Sequence, residues 1–212
     1  MVRFHGASMA EHGPLSSVAS PPDDVGLKPH ALPIEGLLLL VPTIRTGRGS
    51  TCRAACTVLS HAGIAMTEYF MRSSRTERYD RHVVRGLYCQ VPPHAQGRLL
   101  QCGRGAVWMV GVDVRTGSRS FGQWAGVTLS AENARQLWIP PGFLHGLCCL
   151  DGNTEVTCRQ TRPDARASTR TIRWNDETLG IEWPVRDQQA VLSPADGHAP
   201  SFSNVIDWFP YP

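Results

Sequence analysis

The 212 residues suffice for one sizeable domain with its own core, or at most two small ones. Hydrophobic residues make up 42% and charged residues 18%, as in an ordinary globular chain and unlike a disordered one. The net charge of +3 comes with scattered arginines and offers no concentrated basic patch, so neither nucleic acid nor a membrane surface is an expected partner.

The seven cysteines are odd in number and show no repeated frame, and Cys148 and Cys149 lie in an apolar run. They read as reduced, mostly structural thiols. The only dense apolar run near the N-terminus, 37–41, is too short for a signal-peptide core or a membrane span. A cytoplasmic location is expected.

Residues 1–33 are rich in Gly, Ser, Pro and Asp and lack apolar periodicity, which predicts a flexible leader ahead of one domain spanning 34–212. The run 35–41, closed by Pro42, suits a strand buried on both faces. From Gly105, Trp108, Val110, Val112 and Val114 alternate with Val107, Met109, Gly111 and Asp113, so both faces of this strand are largely apolar. Further strands are predicted at 121–129, 135–139, 147–150, 155–160 and 169–174, with one helical turn at 130–133 capped by Ser130. Short strands without a long helical period predict an all-β jelly roll.

Eight strings carry a resemblance. They are Val84-Arg-Gly-Leu-Tyr-Cys-Gln90, Pro92-Pro-His-Ala-Gln96, Gly111-Val-Asp-Val-Arg115 and Gly117-Ser-Arg-Ser-Phe-Gly-Gln-Trp124, then the long run from Leu129 to Gly146. Ile172-Arg-Trp-Asn-Asp176, Leu179-Gly-Ile-Glu-Trp-Pro184 and Leu192-Ser-Pro-Ala-Asp-Gly-His-Ala-Pro200 complete the set. In order and spacing, from about residue 34 to 203, they resemble the dTDP-4-dehydrorhamnose 3,5-epimerase family. The resemblance implies a cupin-type jelly-roll barrel, a homodimer and an active site inside the barrel.

The family's chemistry, as the resemblance implies it, removes a proton beside the ketone of a nucleotide-linked 4-keto sugar. A histidine held by an aspartate is the base, and a tyrosine returns a proton on the opposite face. Imidazole suits that role, with a pKa near ~6.5. Here Tyr88 stands where the resemblance implies the histidine, Asp196 stands at the aspartate, and Thr157 is aligned with the tyrosine. An ordinary phenol is phenolate in roughly one molecule in a thousand at pH 7, which costs about a thousandfold in rate if it must act as the base.

Arg48, Arg85 and His145 match the family's substrate-binding positions, and Arg98 occupies its lysine position. A guanidinium fork suits a diphosphate or a carboxylate. The string Thr46-Gly-Arg-Gly-Ser-Thr-Cys-Arg53 lacks the acidic residue and the aromatic that the resemblance implies for nucleotide binding, and Ser73-Ser-Arg75 also departs from the pattern.

Tyr88 reads equally as a core tyrosine whose hydroxyl bonds to Asp196 or as a catalytic group; His145 either holds a strand end or handles protons; His82 reads as a surface residue. The eight histidines are dispersed with no His-x-His pair, so no metal is expected, and no Gly-rich phosphate loop calls for a dinucleotide cofactor.

The leading expectation is a cofactor-free isomerase or cyclase of a small carbonyl-bearing metabolite in natural-product biosynthesis. Tyr88, Asp196 and His145 would handle protons, and Arg48, Arg85, Arg98 and Thr157 would hold the substrate. The alternatives are a dTDP-4-keto-6-deoxy-sugar 3,5-epimerase (or 3- or 5-epimerase) and a non-catalytic ligand-binding protein.

Overall fold

Short strands with apolar alternation must bury one face or both, and in the computed structural model they do so as two facing antiparallel sheets. The structure describes residues 2–4, 26–43, 52–64, 70, 73–205 and 207–210. The first sheet runs in the order β1 (Val2–Phe4), β9 (Trp124–Ser130), β7 (Ala106–Asp113), β11 (Phe143–Cys149), β5 (Val84–Gln90) and β13 (Thr169–Thr171). The second runs β2 (Leu27–Ala31), β3 (Leu38–Pro42), β10 (Gln136–Ile139), β6 (Arg98–Arg104), β12 (Thr154–Gln160) and β4 (Arg75–Tyr79). A short parallel pair joins β8 (Arg115–Thr116) to β14 (Phe209–Pro210). This is the expected all-β jelly roll.

Three apolar layers explain why so many strands are apolar on both faces. Between the sheets, Met109, Val127 and Leu147 meet Leu39, Leu100 and Leu137. On the outside of the first sheet, Trp108, Val110 and Trp124 are covered by Ile172, Leu179 and Phe202 from the C-terminal segment. The unbroken apolar run of β7 follows from these two layers: Met109 faces the inner one and Trp108 the outer. Gly126 lies so close beneath the Trp108 indole that any Cβ would collide with it, at 2.1 Å.

The third layer corrects the sequence reading. Leu38, Leu40, Leu99 and Trp138, outside the second sheet, are covered by Ala55, Val58 and Leu59 of a helix, α1 (Cys52–His61), that was not predicted. Those three residues have the three- and four-residue spacing of one helical face. Part of the predicted leader is corrected too. Leu27–Ala31 pairs with β3 as the outermost strand of its sheet, where Pro29 is tolerated because an edge strand need not donate every N–H. Leu27, Leu32 and Ile34 are buried. At the N-terminus, Val2–Phe4 pairs with β9, while 5–25 lie outside the described residues.

Other boundaries shift for local reasons. The strand predicted from 121 starts at Trp124, because Ser118 and Ser120 are drawn into a turn around Asp113. The strand predicted from 147 already begins at Phe143. The predicted turn at 130–133 forms as a single turn, with the Ala134 N–H donating to the Ser130 carbonyl at 3.0 Å, and no helix continues from it. The Asn133 N–H donates to Ser130 Oγ at 3.0 Å, and Asn133 Oδ1 accepts from the N–H groups of Ser130 and Arg135 at 3.1 and 3.0 Å. Asx and Ser side chains offer the backbone such local alternatives to helix.

Candidate active site

Where the sheets part, a cavity of about 360 Å³ opens between them. The first sheet contributes Arg85, Tyr88 and His145, and the second contributes Arg98, Cys158 and Tyr79. In a regular strand Arg85 and Tyr88, three residues apart, would face opposite sides. They share the cavity because β5 carries one extra residue against β11: His145 pairs with Tyr88, but Leu147 pairs with Arg85. Such a bulge reverses the phase of the strand.

Gly86 makes the bulge possible. Its φ is +110°, and a Cβ there would lie 2.7 Å from the carbonyl oxygen of His145 and 2.8 Å from Cα of Gly146. Only glycine fits that conformation and that approach.

Asp196 holds this part of β5 from behind. It sits in a one-turn helix, α2 (Pro194–Gly197), with Ser193 as N-cap and Pro194 at the first position, a favoured helix start. The carboxylate is 2% exposed. Its Oδ1 accepts the Gly86 N–H at 3.3 Å, its Oδ2 accepts the Ser193 hydroxyl at 2.6 Å, and Arg85 Nη1 stands 3.7 Å from Oδ2. The expected hydroxyl bond from Tyr88 to Asp196 is not among the contacts of the described residues. Asp196 acts on Tyr88 through space instead.

Tyr88 and His145 meet edge to face, with ring centroids 5.3 Å apart. Their environments drive them in opposite directions. Burial raises the Tyr88 phenol well above its ordinary value, the Asp196 charge adds to the rise, and Arg85 and Arg98 only partly offset it. Tyr88 is therefore a protonated hydrogen-bond donor at neutral pH. Burial and the Arg98 cation push His145 well below the ordinary imidazole range, against the opposing effect of a hydrogen bond to the Tyr88 backbone. The ring N–H donates to that carbonyl, which fixes the tautomer and leaves the other nitrogen as an acceptor. A neutral, oriented imidazole beside a guanidinium can take a proton and stabilise the negative charge left behind.

Thr157 is corrected by the pleat of β12. Its hydroxyl bonds to Thr76 on the outer face at 2.8 Å, while Val156, Cys158 and Gln160 face the cavity. Val156 and Cys158 are thus the cavity-facing neighbours of the aligned position, and of the two only Cys158 carries a labile proton. Its thiol is pushed up by burial, with Arg98 opposing through its charge and a hydrogen bond. Arg48 lies outside the described residues. His82 sits in a left-handed turn conformation, φ +66°, just ahead of β5 and away from the cavity lining.

Sequence reasoning missed Glu77 and Tyr79, which line the cavity from β4. Their signal was the alternation in Arg75-Thr-Glu-Arg-Tyr79, with residues 75, 77 and 79 on one face and Thr76 on the other. No group of three or more metal-ligating side chains occurs among the described residues, and no helix there is long and apolar enough to cross a membrane.

Comparison with known proteins matches these features to one family. The family model described as dTDP-4-dehydrorhamnose 3,5-epimerase matches residues 31–204. The dTDP-4-dehydrorhamnose 3,5-epimerase of Salmonella typhimurium is 48% identical over 126 residues, 59% of this chain and 68% of that protein. The enzyme of the same name from Mycolicibacterium smegmatis is 34% identical over 173 residues, 81% of this chain and 84% of that one. Among solved structures, the dTDP-6-deoxy-D-glucose-3,5-epimerase of Legionella pneumophila, in complex with dTDP-4-keto-L-rhamnose, superposes with a TM-score of 0.77 at 31% identity. That superposition covers 88% of this chain and 99% of that one. With the barrel, the cavity and a match over most of its length in agreement, the chain belongs to the dTDP-4-dehydrorhamnose 3,5-epimerase family of isomerase-class enzymes.

Proposed function

We propose that the chain is an epimerase of a dTDP-linked 4-keto-6-deoxy sugar in deoxysugar biosynthesis, with His145 as its base. The observation that carries this reading is the His145 imidazole, buried on β11, lining the cavity together with Arg98 and meeting the Tyr88 ring edge to face at 5.3 Å. In the reaction, the free ring nitrogen takes a proton from a carbon next to the ketone. The C–H electron pair moves into the carbonyl, and the resulting enolate oxygen is held by Arg98. Reprotonation on the other face of the carbon inverts it, and no cofactor enters the balance.

The Tyr88 phenol, protonated at neutral pH, donates a hydrogen bond to the substrate in place of serving as the base. Arg85 and Arg48 hold the diphosphate, and Asp196 positions Arg85 and the Gly86 bulge. Family membership favours this sugar-nucleotide reading over a cyclase of an unrelated carbonyl metabolite, which would use the same enolate chemistry. The protein works as a homodimer, checked by light scattering after size exclusion.

The test is deuterium exchange from D₂O into dTDP-4-keto-6-deoxyglucose, followed by NMR. The wild type is expected to exchange the C3 or C5 proton at a rate that is flat through neutral pH. His145→Gln is expected to lose about 10²- to 10⁴-fold of that rate, the range of general base catalysis. A rate that climbs steadily with alkalinity and vanishes in Tyr88→Phe would make Tyr88 the base. Tight binding without any exchange would identify a ligand-binding protein instead.

A further inference from the structure

We propose that Arg98 and Asp164 together read the hydroxyketone of the substrate: Arg98 donates to the ketone oxygen at C4, and Asp164 accepts the hydrogen bond of the C3 hydroxyl beside it. The inference rests on the epimerase reading above and deepens it, because it makes the C3 hydroxyl the group that this cavity selects.

Asp164 lies four residues beyond the end of β12 and lines the cavity. Its backbone is held from the barrel by two buried glutamines. Gln96 Nε2 donates to the Arg162 carbonyl at 3.0 Å. Gln90 accepts the Ala165 N–H at 2.6 Å and donates to the Pro163 carbonyl at 3.3 Å. The Arg162 guanidinium adds a bond to the Pro93 carbonyl at 3.2 Å. The side chain is fixed as well, since Asp164 Oδ1 accepts from Gln160 Nε2 at 2.9 Å, and Gln160 is itself only 8% exposed on the cavity wall.

The carboxylate so held is nearly unused. A carboxylate offers about four acceptor positions. Among the described residues, Gln160 fills one. Arg98 Nη2 stands 3.7 Å from Oδ1 and Arg75 Nη1 stands 3.9 Å from Oδ2, near enough to attract the charge and too far to hydrogen-bond it. Glu77, the other carboxylate on this wall, is already engaged by Arg75 at 2.5 Å and by the Tyr79 hydroxyl.

The position of Asp164 names the group that it meets. Arg98 lies directly opposite Gln160 in the ladder of β6 and β12, so the cation that holds the enolate oxygen and the carboxylate held by Gln160 are neighbours on one wall. In a 4-keto-6-deoxy sugar the ketone carbon is flanked by C3, which bears a hydroxyl, and by C5, which bears a methyl group. With the ketone oxygen on Arg98, the adjacent donor is the C3 hydroxyl. An acceptor and a donor on neighbouring carbons thus match a guanidinium donor and a carboxylate acceptor. A site built to bond a hydroxyl discriminates against the analogue that lacks it, because its own polar group is left without a partner.

The experiment measures kcat/KM for deuterium exchange beside the ketone with two sugars, dTDP-4-keto-6-deoxyglucose and its 3-deoxy counterpart, in wild type and Asp164→Ala. The intrinsic difference between the sugars is common to both proteins and cancels in the comparison. The preference for the hydroxylated sugar is expected to shrink about tenfold in the variant, the lower end for a hydrogen bond to a charged group. Asp164→Ser, whose hydroxyl is too short to reach, carries the test with the same expected loss if the melting curve shows that Asp164→Ala does not fold. A preference within about twofold of wild type in the folded variant overturns the proposal. Tighter binding of dTDP alone with that preference unchanged overturns it too, and makes Asp164 a counter-ion of the arginines. Wild-type protein that exchanges neither sugar overturns the epimerase reading itself, and that failure is seen before any variant is made.

Discussion

Two buried carboxylates, Asp113 and Asp196, each lie beside an arginine, and their surroundings differ in completeness. Asp113 is 0% exposed at the end of β7 and is saturated. Its Oδ1 accepts from the Arg115 main-chain N–H and from Nε, both at 2.9 Å, and its Oδ2 accepts from Arg115 Nη2 at 2.8 Å and from the Ser118 and Ser120 hydroxyls at 2.7 and 2.6 Å. Arg115 in turn stacks on Phe143 and donates to the Glu35 carbonyl, locking three segments together. Asp196 is nearly as buried, yet its arginine stands off at 3.7 Å, and the Arg85 side chain keeps 30% of its surface open to the cavity. A saturated network holds structure. A loose one leaves a charged donor with unused hydrogen-bonding capacity where a ligand can meet it.

The largest expected effect tests the saturated side of this contrast. Asp113→Ala strands a partly buried guanidinium and two hydroxyls, and should lower stability by about 3–5 kcal/mol, read as a shift of the urea midpoint. A loss below about 1 kcal/mol would mean that the network is not holding the turn. Asp196→Asn should do the reverse. The amide keeps the Gly86 contact, stability falls by only about 1 kcal/mol, and exchange into the sugar nucleotide drops at least tenfold because Arg85 loses its counter-charge. Unchanged exchange with a large stability loss would make Asp196 a second structural knot.

The smallest effect separates the two regions by pH. Burial pushes the Asp113 carboxyl up, but the Arg115, Ser120 and Ser118 hydrogen bonds pull it below its ordinary value. Its stabilisation is present above ~3.9 and is lost as pH falls through the folded value. His145 is also depressed in the folded state, so its contribution is complete above ~6.5 and declines as acid protonates the unfolded imidazole. Stability should therefore start to fall below pH ~6.5 in the wild type, with a flatter start in His145→Gln and an unchanged one in Asp113→Asn. Identical curves for wild type and His145→Gln between neutrality and pH 5 would contradict the buried, neutral imidazole.

Much of the fold was legible because alternation and turn residues act locally. The β7 run was read as apolar on both faces, and the C-terminal segment over Trp108 and Trp124 supplies the reason. The strand at 27–31 and the helix at 52–61 were missed because each is stabilised by a distant surface. Leu27 needs the face of β3, and Val58 needs Trp138. Within the site, Arg85, Tyr88, His145 and Asp196 were named from the strings that contain them, and Arg98 from the lysine position that the resemblance implies. Thr157 was taken for a cavity residue because a string alignment carries no pleat phase, and the Thr76 contact shows that it faces outward.

The sequence by itself determined the jelly-roll class, the family and the residue types available to the site, because short-range patterning and ordered strings survive without coordinates. Which of those residues share a cavity was decided by tertiary structure. The extra residue at Gly86 turns Arg85 and Tyr88 to one side, and the opposed sheet brings Tyr79 and Glu77 to face them. The environment of His145 was decided there as well, since the burial and the Arg98 cation that lower its proton affinity, and the Tyr88 backbone that bonds its ring, are brought to it by other strands.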